Sequence, residues 1–183
     1  MRRIVAILAI ILATTPVFAD SVVDAAGRLD LLYDDLQQAD PEDWQEIESK
    51  IHREETRSGS AAMDLLFARG QKALEAGAFV TAVEHFSALV ELAPDFAEGW
   101  NARATAYFLL EEYGLAMADI ARVLAINPRH FGALAGLGLI LEETGDPEGA
   151  MRAYRAALAV HPYLESALAG IARLRPLVEG TDI

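Results

Sequence analysis

One spacing constrains this chain more than any other feature. Pro94, Pro128 and Pro162 follow one another at intervals of 34 residues, with no insertion between them. A sequence that recurs at a period of about 20–50 residues predicts a stack of small structural units. Each unit needs its neighbours to bury its apolar face. The spacing therefore predicts a continuous stack of at least three units.

The three copies share small residues at two fixed places, large residues around them, and a closing proline. These positions are Leu66, Arg69, Gly70, Ala73, Ala82 and Phe86 in the first copy; Trp100, Arg103, Ala104, Tyr107, Ala116 and Ile120 in the second; Leu134, Leu137, Gly138, Leu141, Ala150 and Tyr154 in the third. The pattern resembles that of the tetratricopeptide-repeat (TPR) family, Trp-x2-Leu-Gly-x2-Tyr, Ala-x3-Phe and Pro. The resemblance implies an all-α fold, a right-handed superhelical solenoid of helical hairpins.

The resemblance covers residues 63–164 and a closing helix. It implies repeats at residues 63–96, 97–130 and 131–164 and a capping helix at 165–178, within a TPR domain of residues 61–183. Small residues let the two helices of a repeat approach closely, and large residues fill the remaining space. The proline ends the second helix, because it lacks an N–H group and disfavours helical geometry before it. Glycine suits the turn between the helices, since it adopts a left-handed conformation easily.

The N-terminus has the three parts of a secretory signal. Arg2 and Arg3 provide positive charge, residues 4–13 are apolar, and a small-residue pattern ends at Ala19. We expect a signal peptide at residues 1–19, cleaved after Ala19, and a periplasmic or secreted mature protein. The alternative is an uncleaved membrane anchor, although the apolar segment is shorter than the roughly 17–25 residues of a usual span.

The chain is acidic and has no cysteine. Its formal net charge is −13, and loss of the two leader arginines makes it −15. Such a charge repels nucleic-acid phosphates and anionic membrane surfaces, so neither is an expected partner. Without cysteine there is no disulfide framework, and packing must provide the stability of an exported chain.

Residues 20–60 predict an N-terminal helical hairpin. Residues 22–38 are amphipathic, Asp40 and Pro41 begin the next helix, and residues 58–60 break the chain. Because the end of a repeat array needs an atypical cap, we expect the hairpin to cover the open N-terminal face of the solenoid. The alternative is a homo-oligomer in which residues 22–38 self-associate.

The concave groove is predicted from the first helix of each repeat. Positions 5, 9 and 12 are rotated by about 100° from the stripe that faces the partner helix. They are Phe67, Gln71 and Leu74; Asn101, Thr105 and Phe108; Ala135, Leu139 and Glu142. The groove would be apolar with some amides and hydroxyls, edged by Asp64, Glu98 and Glu143. Such a surface favours an extended or helical peptide with apolar anchors and some positive charge.

Some TPR proteins bind a terminal carboxylate of a cytosolic chaperone through lysine, arginine and asparagine in this groove. This sequence departs from that pattern. Phe67, Gln71, Ala102, Gly132 and Gly136 occupy the five positions concerned. Binding of a chaperone tail is therefore not expected.

Arg103 stands where the family pattern prefers leucine. Asp119 lies on the second helix of the same repeat, so we predict a structural Arg103–Asp119 pair. An anion site at Arg103 is the functional alternative. Arg129 and His130 make one positive turn, for which we predict capping of a helix C-terminus; contact with an acidic partner is the alternative.

No arrangement of residues predicts an enzyme. The four histidines lie on separate elements, and none has the spacing of a metal-binding helix. Gly132, Gly136 and Gly138 fall at helix-packing positions with no strand before them, which argues against a nucleotide loop. We therefore expect no catalytic, cofactor or metal site. The leading hypothesis is an adaptor that binds a protein or peptide.

Overall fold

The computed structural model of the chain describes residues 17–178 and residue 180, with side chains from residue 27 onward. The described part contains nine helices and no strand. They are α1 (Val17–Gln37), α2 (Trp44–Glu55), α3 (Ala61–Glu75), α4 (Phe79–Leu92), α5 (Ala97–Leu109), α6 (Tyr113–Ile126), α7 (Phe131–Glu143), α8 (Pro147–Val160) and α9 (Glu165–Val178). The all-α solenoid that the repeats predict is confirmed.

Each repeat is a helical hairpin, and the hairpins pack in series. α3 pairs with α4, α5 with α6 and α7 with α8, and α4 packs on α5 and α6 on α7. The second helix of each repeat ends two residues before its proline. α9 closes the stack against α8, over the range predicted for the capping helix.

Glycine allows the closest helix contacts. A Cβ atom added to Gly138 would lie 2.6 Å from the ring of Tyr154, far inside van der Waals contact. Tyr154 is 2% exposed and packs in one apolar cluster with Ala150 and Leu174. Glycine at this position therefore lets α8 place a large ring against α7.

The turn inside each repeat needs one residue in the left-handed region. Gly77 (φ 71°) and Gly145 (φ 83°) supply it in the first and third repeats. In the second repeat the same position is Glu111, with φ 61°. Because a residue with a Cβ atom is less stable in this conformation, the central repeat carries local backbone strain.

The N-terminal hairpin exists, but its predicted position is wrong. α1 contacts α2 and α8, and neither α1 nor α2 packs against α3. Tyr33, Leu36 and Ile51 form an apolar cluster with Phe131 at the start of α7. The hairpin thus lies on the turns that join the later repeats and leaves the first repeat uncovered.

The outer face of α3 explains why no cap is needed there. The tenth position of the first helix is Ala106 in the second repeat and Ile140 in the third, and both are buried. In the first repeat this position is Lys72, which is exposed. A charged side chain at that position makes the outer face of α3 polar, so α3 can form the end of the solenoid without a covering element.

The start of α1 differs from the sequence prediction. The helix begins at Val17 and ends at Gln37, whereas residues 22–38 were expected. It therefore includes the predicted cleavage point after Ala19. Most of the predicted leader, residues 1–16, lies outside the described residues.

Candidate functional site

The inner faces of α3, α5 and α7 are adjacent in the stack and form its groove. The structure exposes the nine predicted groove residues very unequally. Thr105 is exposed; Gln71, Leu74, Asn101, Phe108, Leu139 and Glu142 are half-buried; Phe67 and Ala135 are buried.

The prediction that Phe67 and Ala135 line the groove is wrong. Phe67 is 8% exposed, and its ring centre lies 5.9 Å from that of Phe86 and 5.7 Å from that of Phe96. Ala135 is 9% exposed and belongs to the apolar cluster around Tyr154. In the first and third repeats the inter-helix space extends to the fifth position, so these two side chains pack in the core rather than face a ligand.

Two further groove residues are occupied by contacts of their own chain. Phe108 packs on Tyr113 with ring centres 5.7 Å apart. Glu142 accepts a hydrogen bond from the Tyr154 hydroxyl at 2.9 Å and two from Arg173 at 3.0 Å. The Arg173 hydrogen bonds, helped by the Tyr154 hydroxyl, lower the pKa of Glu142. This carboxylate joins α7 to α8 and α9.

The structure contains the Arg103–Asp119 pair that the repeat register predicts. Arg103 donates from Nε and Nη2 to the two Asp119 oxygens, at 2.7 and 2.8 Å, and from Nη1 to Ser87 at 3.1 Å. Its guanidinium also lies 4.9 Å from the Trp100 ring centre. With all three nitrogens engaged, the geometry favours a structural pair over an anion site.

Arg129 and His130 do not cap a helix C-terminus, so that prediction is wrong. Arg129 forms an ion pair with Asp34 of α1 at 2.8 Å and lies over the ring of Tyr33. His130 caps the N-terminus of α7, because its Nδ1 accepts a hydrogen bond from the Ala133 N–H at 3.1 Å. Both residues instead connect the hairpin and the repeats.

A buried polar cluster lies where α2 meets the groove. His130 Nε2 is 2.9 Å from Glu98 Oε2 and 3.8 Å from Glu55 Oε1. The side chains of all three are less than 10% exposed. The Tyr33 hydroxyl donates to Glu55 at 2.5 Å, and the Asn101 amide donates to Glu98 at 3.2 Å. We call Glu55, Glu98 and His130 the junction cluster.

The environment of the junction cluster favours the protonated forms of Glu55 and His130. Burial raises the pKa of Glu55, and this effect exceeds the opposing effects of His130 and the Tyr33 hydroxyl. Burial alone would lower the pKa of His130, but its hydrogen bond to Glu98 and the charges of Glu55 and Glu98 raise it. Burial and the nearby Glu55 also raise the pKa of Tyr33, whose hydroxyl stays a donor.

A second buried histidine behaves in the opposite way. His161 is fully buried beneath the hairpin, with its ring 5.3 Å from that of Trp44 and 5.0 Å from that of Phe131. Its Nε2 makes no hydrogen bond within the described structure and lies 3.5 Å from Glu48. Burial lowers its pKa, partly opposed by Glu48, so His161 is most stable in its neutral form.

The junction cluster has the composition of a metal site but not its hydrogen-bond pattern. The nearest oxygens of Glu55 and Glu98 and one nitrogen of His130 lie within 4.8 Å of one another. In neutral His130, Nδ1 accepts the Ala133 N–H, so the proton is on Nε2 and points at Glu98. A metal ligand needs a lone pair at Nε2. The cluster is thus satisfied as a hydrogen-bonded group.

A cavity of about 600 Å³ opens beside the cluster. One wall is α2, and the floor is formed by the starts of α5 and α7. Its lining residues are Glu48, Ser49, His52, Arg53, Glu55, Glu98, Asn101, His130, Phe131 and Gly132. The hairpin therefore forms one side of the groove, which the sequence did not indicate.

Several residues of this junction were not singled out from the sequence. The sequence predicts Glu98 only at the groove edge and Tyr33 only as a candidate for the apolar stripe of the first helix, and it assigns no role to Glu55. Glu55 lies in a charged run that is typical of a solvated helix end. Glu98 lies 43 positions and His130 lies 75 positions from Glu55 in the chain, and no local pattern predicts contacts over such separations.

No helix in the described part of the chain is long and apolar enough to cross a bilayer.

Sequence comparison identifies related proteins. The tetratricopeptide-repeat family profile matches residues 97–130 and 131–162. A TPR repeat-containing protein of Rhizobium etli is 38% identical over 136 residues, which cover 74% of this chain and 67% of that protein. Small glutamine-rich tetratricopeptide repeat-containing protein 2 of Saccharomyces cerevisiae is 27% identical over 119 residues, 65% of this chain and 34% of that protein.

Solved structures share the fold. The crystal structure of MamA superimposes with a TM-score of 0.62 at 21% identity, covering 90% of this chain and 84% of that one. The first TPR of RPAP3, solved bound to the HSP90 peptide SRMEEVD, gives 0.62 at 20% identity, covering 64% and 93%. Taken with the repeats and the Rhizobium relative, these likenesses lead to one conclusion: the chain belongs to the tetratricopeptide-repeat family.

Proposed function

We propose that this chain is an exported adaptor that binds a segment of another protein in its groove and performs no catalysis. The observation that carries the proposal is the continuous inner surface of α3, α5 and α7. Gln71, Thr105 and Leu139 occupy equivalent positions in the three repeats and remain at least partly accessible. A surface that presents equivalent positions at regular spacing suits an extended or helical peptide.

The chemistry of the groove favours a particular kind of segment. RPAP3 was solved with an acidic peptide. In this chain Gly132 and Gly136 stand where carboxylate-binding TPR proteins have basic residues, and Glu48 and Glu98 line the adjacent cavity. An acidic tail would find no basic side chain at those two positions, and Arg53 is the one arginine among the lining residues of the cavity. The proposed partner segment therefore has apolar side chains and basic residues.

Export is part of the proposal. The leader at residues 1–19 supports it, as does an acidic chain without cysteine. Mass spectrometry of the protein from its native host tests this point. A mature chain that begins at Asp20 is expected, and a chain that retains residues 1–19 would favour the membrane-anchored alternative.

Site-specific photo-cross-linking tests the groove directly. A photoreactive amino acid that replaces Thr105 is exposed at the centre of the groove. The control is the same photoreactive amino acid in place of Ala125, which is exposed on α6, the second helix of that repeat. We expect a discrete cross-linked partner from the Thr105 position only. Equal cross-linking from both positions, or from Ala125 alone, would contradict groove binding.

A further inference from the structure

The hairpin contacts the groove at the starts of α5 and α7. Its helix α2 forms the cavity wall opposite Asn101 and Gly132, which occupy the fifth and second positions of two inner helices. Glu55 reaches over this wall to the start of α5 and the turn before α7. While the hairpin is bound there, it narrows the groove at the starts of α5 and α7.

The hairpin is attached in a way that would let it leave as a unit. The repeats have apolar clusters of their own, and among the described residues the hairpin cluster takes from the repeats Phe131 at the start of α7, Val160 at the end of α8, and Leu164. Outside that cluster the attachment is polar: it consists of the Arg129–Asp34 ion pair, the contact of Glu55 with His130, and hydrogen bonds such as Gln37 to the Ala159 carbonyl at 2.7 Å and Tyr163 to the Ala39 carbonyl at 3.1 Å. Residues 56–60 connect it to α3.

The central contact of this interface buries charge. Four titratable groups face Glu55: the Tyr33 hydroxyl on α1, His52 on α2, Glu98 on α5 and His130 before α7. His52 is exposed to solvent, and His130 directs its Nε2 proton to Glu98. An ionised Glu55 would be a second buried negative charge beside Glu98, with the Tyr33 hydroxyl as its hydrogen-bond donor. A protonated Glu55 is neutral and avoids the cost of burying that charge. When the hairpin detaches, Glu55 is exposed to water, and its ionised form no longer carries a burial cost.

We propose that the hairpin is a removable cover of the groove and that a proton on Glu55 stabilises its closed position. This inference rests on the proposed function only for the biological role of the movement, because the hairpin can move without a bound partner. Protonation closes the groove, and loss of the proton weakens the cover and favours access. The hairpin would then be an autoinhibitory contact built into the chain.

The direction of the pH effect follows from the groups in the interface. The pKa of Glu55 is raised in the closed state, so its contribution is present below the ordinary value of 4.5 and is lost as pH rises through the raised value. The pKa of His130 is also raised in the closed state. The closed state therefore loses further stability as pH rises above 6.5, the ordinary pKa of histidine. His161 acts oppositely, because its lowered pKa costs stability only as pH falls below 6.5.

Glu55→Gln isolates the contribution of Glu55. Glutamine is neutral at every pH, has nearly the same shape and still accepts the Tyr33 hydroxyl. The matched control is Glu42→Gln, since Glu42 is exposed just before α2. Both variants are made in the full chain, in which cysteines at the exposed positions Gln45 and Ala118 carry spin labels. The absence of natural cysteine leaves no background labelling.

The measurement is the hairpin-to-repeat distance by pulsed electron paramagnetic resonance, during urea titrations from pH 4.5 to 8. Circular dichroism in parallel follows unfolding of the repeats. We expect the distance to change before the helicity is lost. Relative to the Glu55→Gln chain, in which His161 contributes in the same way, the closed state of the parent chain should weaken as pH rises, by up to about tenfold per pH unit while Glu55 loses its proton. The Glu42→Gln chain should do the same.

The Glu55→Gln chain should stay closed to higher urea than the parent at pH 7 and show no weakening near the titration of Glu55. Two results would overturn the inference. One is a single transition in which the distance and the helicity change together, since the hairpin would then not be removable. The other is a Glu55→Gln chain whose pH dependence equals that of the parent.

Discussion

The interface between neighbouring repeats and the interface between hairpin and repeats bury different kinds of side chain. Phe86, Leu89 and Ala102 join the first two repeats in an apolar cluster. The hairpin interface also has apolar residues, but it encloses Glu55, Glu98 and His130. Apolar burial does not depend on protonation, whereas a buried carboxylate does. The comparison indicates a permanent scaffold and an adjustable attachment.

The largest expected loss of stability concerns the Arg103–Asp119 pair, a largely buried charge pair within the otherwise apolar interior of the repeats. Arg103→Leu should destabilise the chain by about 3 kcal/mol, because Asp119 would remain buried without a partner. Urea unfolding followed by circular dichroism measures this value. The Arg103→Leu, Asp119→Leu double variant should recover most of the loss. An unchanged unfolding midpoint in the single variant would show that the pair contributes nothing.

Overpacking of the repeat contact should have the next largest effect. Gly138→Ala forces a methyl group against the ring of Tyr154 and should cost about 2 kcal/mol. Gly114→Ala is the matched control, since no atom lies within 4 Å of its added methyl group. That control should be neutral or stabilising by about 0.5 kcal/mol, and calorimetry of both variants checks the prediction. Equal melting temperatures would contradict the close approach of α7 and α8.

A change at the hairpin should leave the scaffold intact. Tyr33→Phe removes the hydroxyl that donates to Glu55 and accepts from Asn127 at 2.8 Å. We expect the closed hairpin to lose about 1–2 kcal/mol. Amide hydrogen exchange should then be faster in α2 and unchanged in α5 and α6, with Tyr113→Phe as a control on α6. Faster exchange throughout the repeats would mean that the two interfaces are not separate.

The smallest effect concerns the strained turn of the central repeat. Glu111→Gly should stabilise the chain by about 0.5–1 kcal/mol, because glycine adopts a positive φ without strain. The gain should appear in the thermal midpoint. Glu112→Gly, in the next position and without a positive φ, should give no gain. A destabilising Glu111→Gly substitution would argue against the left-handed conformation.

The repeats were predictable because their signals are local and periodic. The prolines at positions 94, 128 and 162 and the small residues recur in all three repeats, and a turn glycine recurs in two of them. The Arg103–Asp119 pair followed from the same register, since both residues belong to one repeat. The groove was harder to predict. Position 5 can face a ligand or the core, and the choice at Phe67 depends on Phe86 and Phe96 beside it.

The hairpin position could not be predicted for a different reason. Its amphipathic pattern indicated that one face is buried but not what covers that face. The cap expected on α3 is unnecessary because Lys72 solvates the end of the stack. The observed site depends on partners far away in the chain, such as Asn127 for Tyr33 and Ala159 for Gln37. Only the folded chain brings these residues together.

Chemical cross-linking tests the placement of the hairpin most directly. Cysteines at Gln37 and Ala159 of the full chain should be joined by a short thiol-reactive cross-linker within one molecule, because these residues are hydrogen-bonded. A chain with cysteines at Gln37 and Lys72 should not be joined, since α1 does not pack on α3. Mass spectrometry of the monomer distinguishes the two. Efficient cross-linking of Gln37 to Lys72, without cross-linking to Ala159, would place the hairpin on the first repeat and contradict this account.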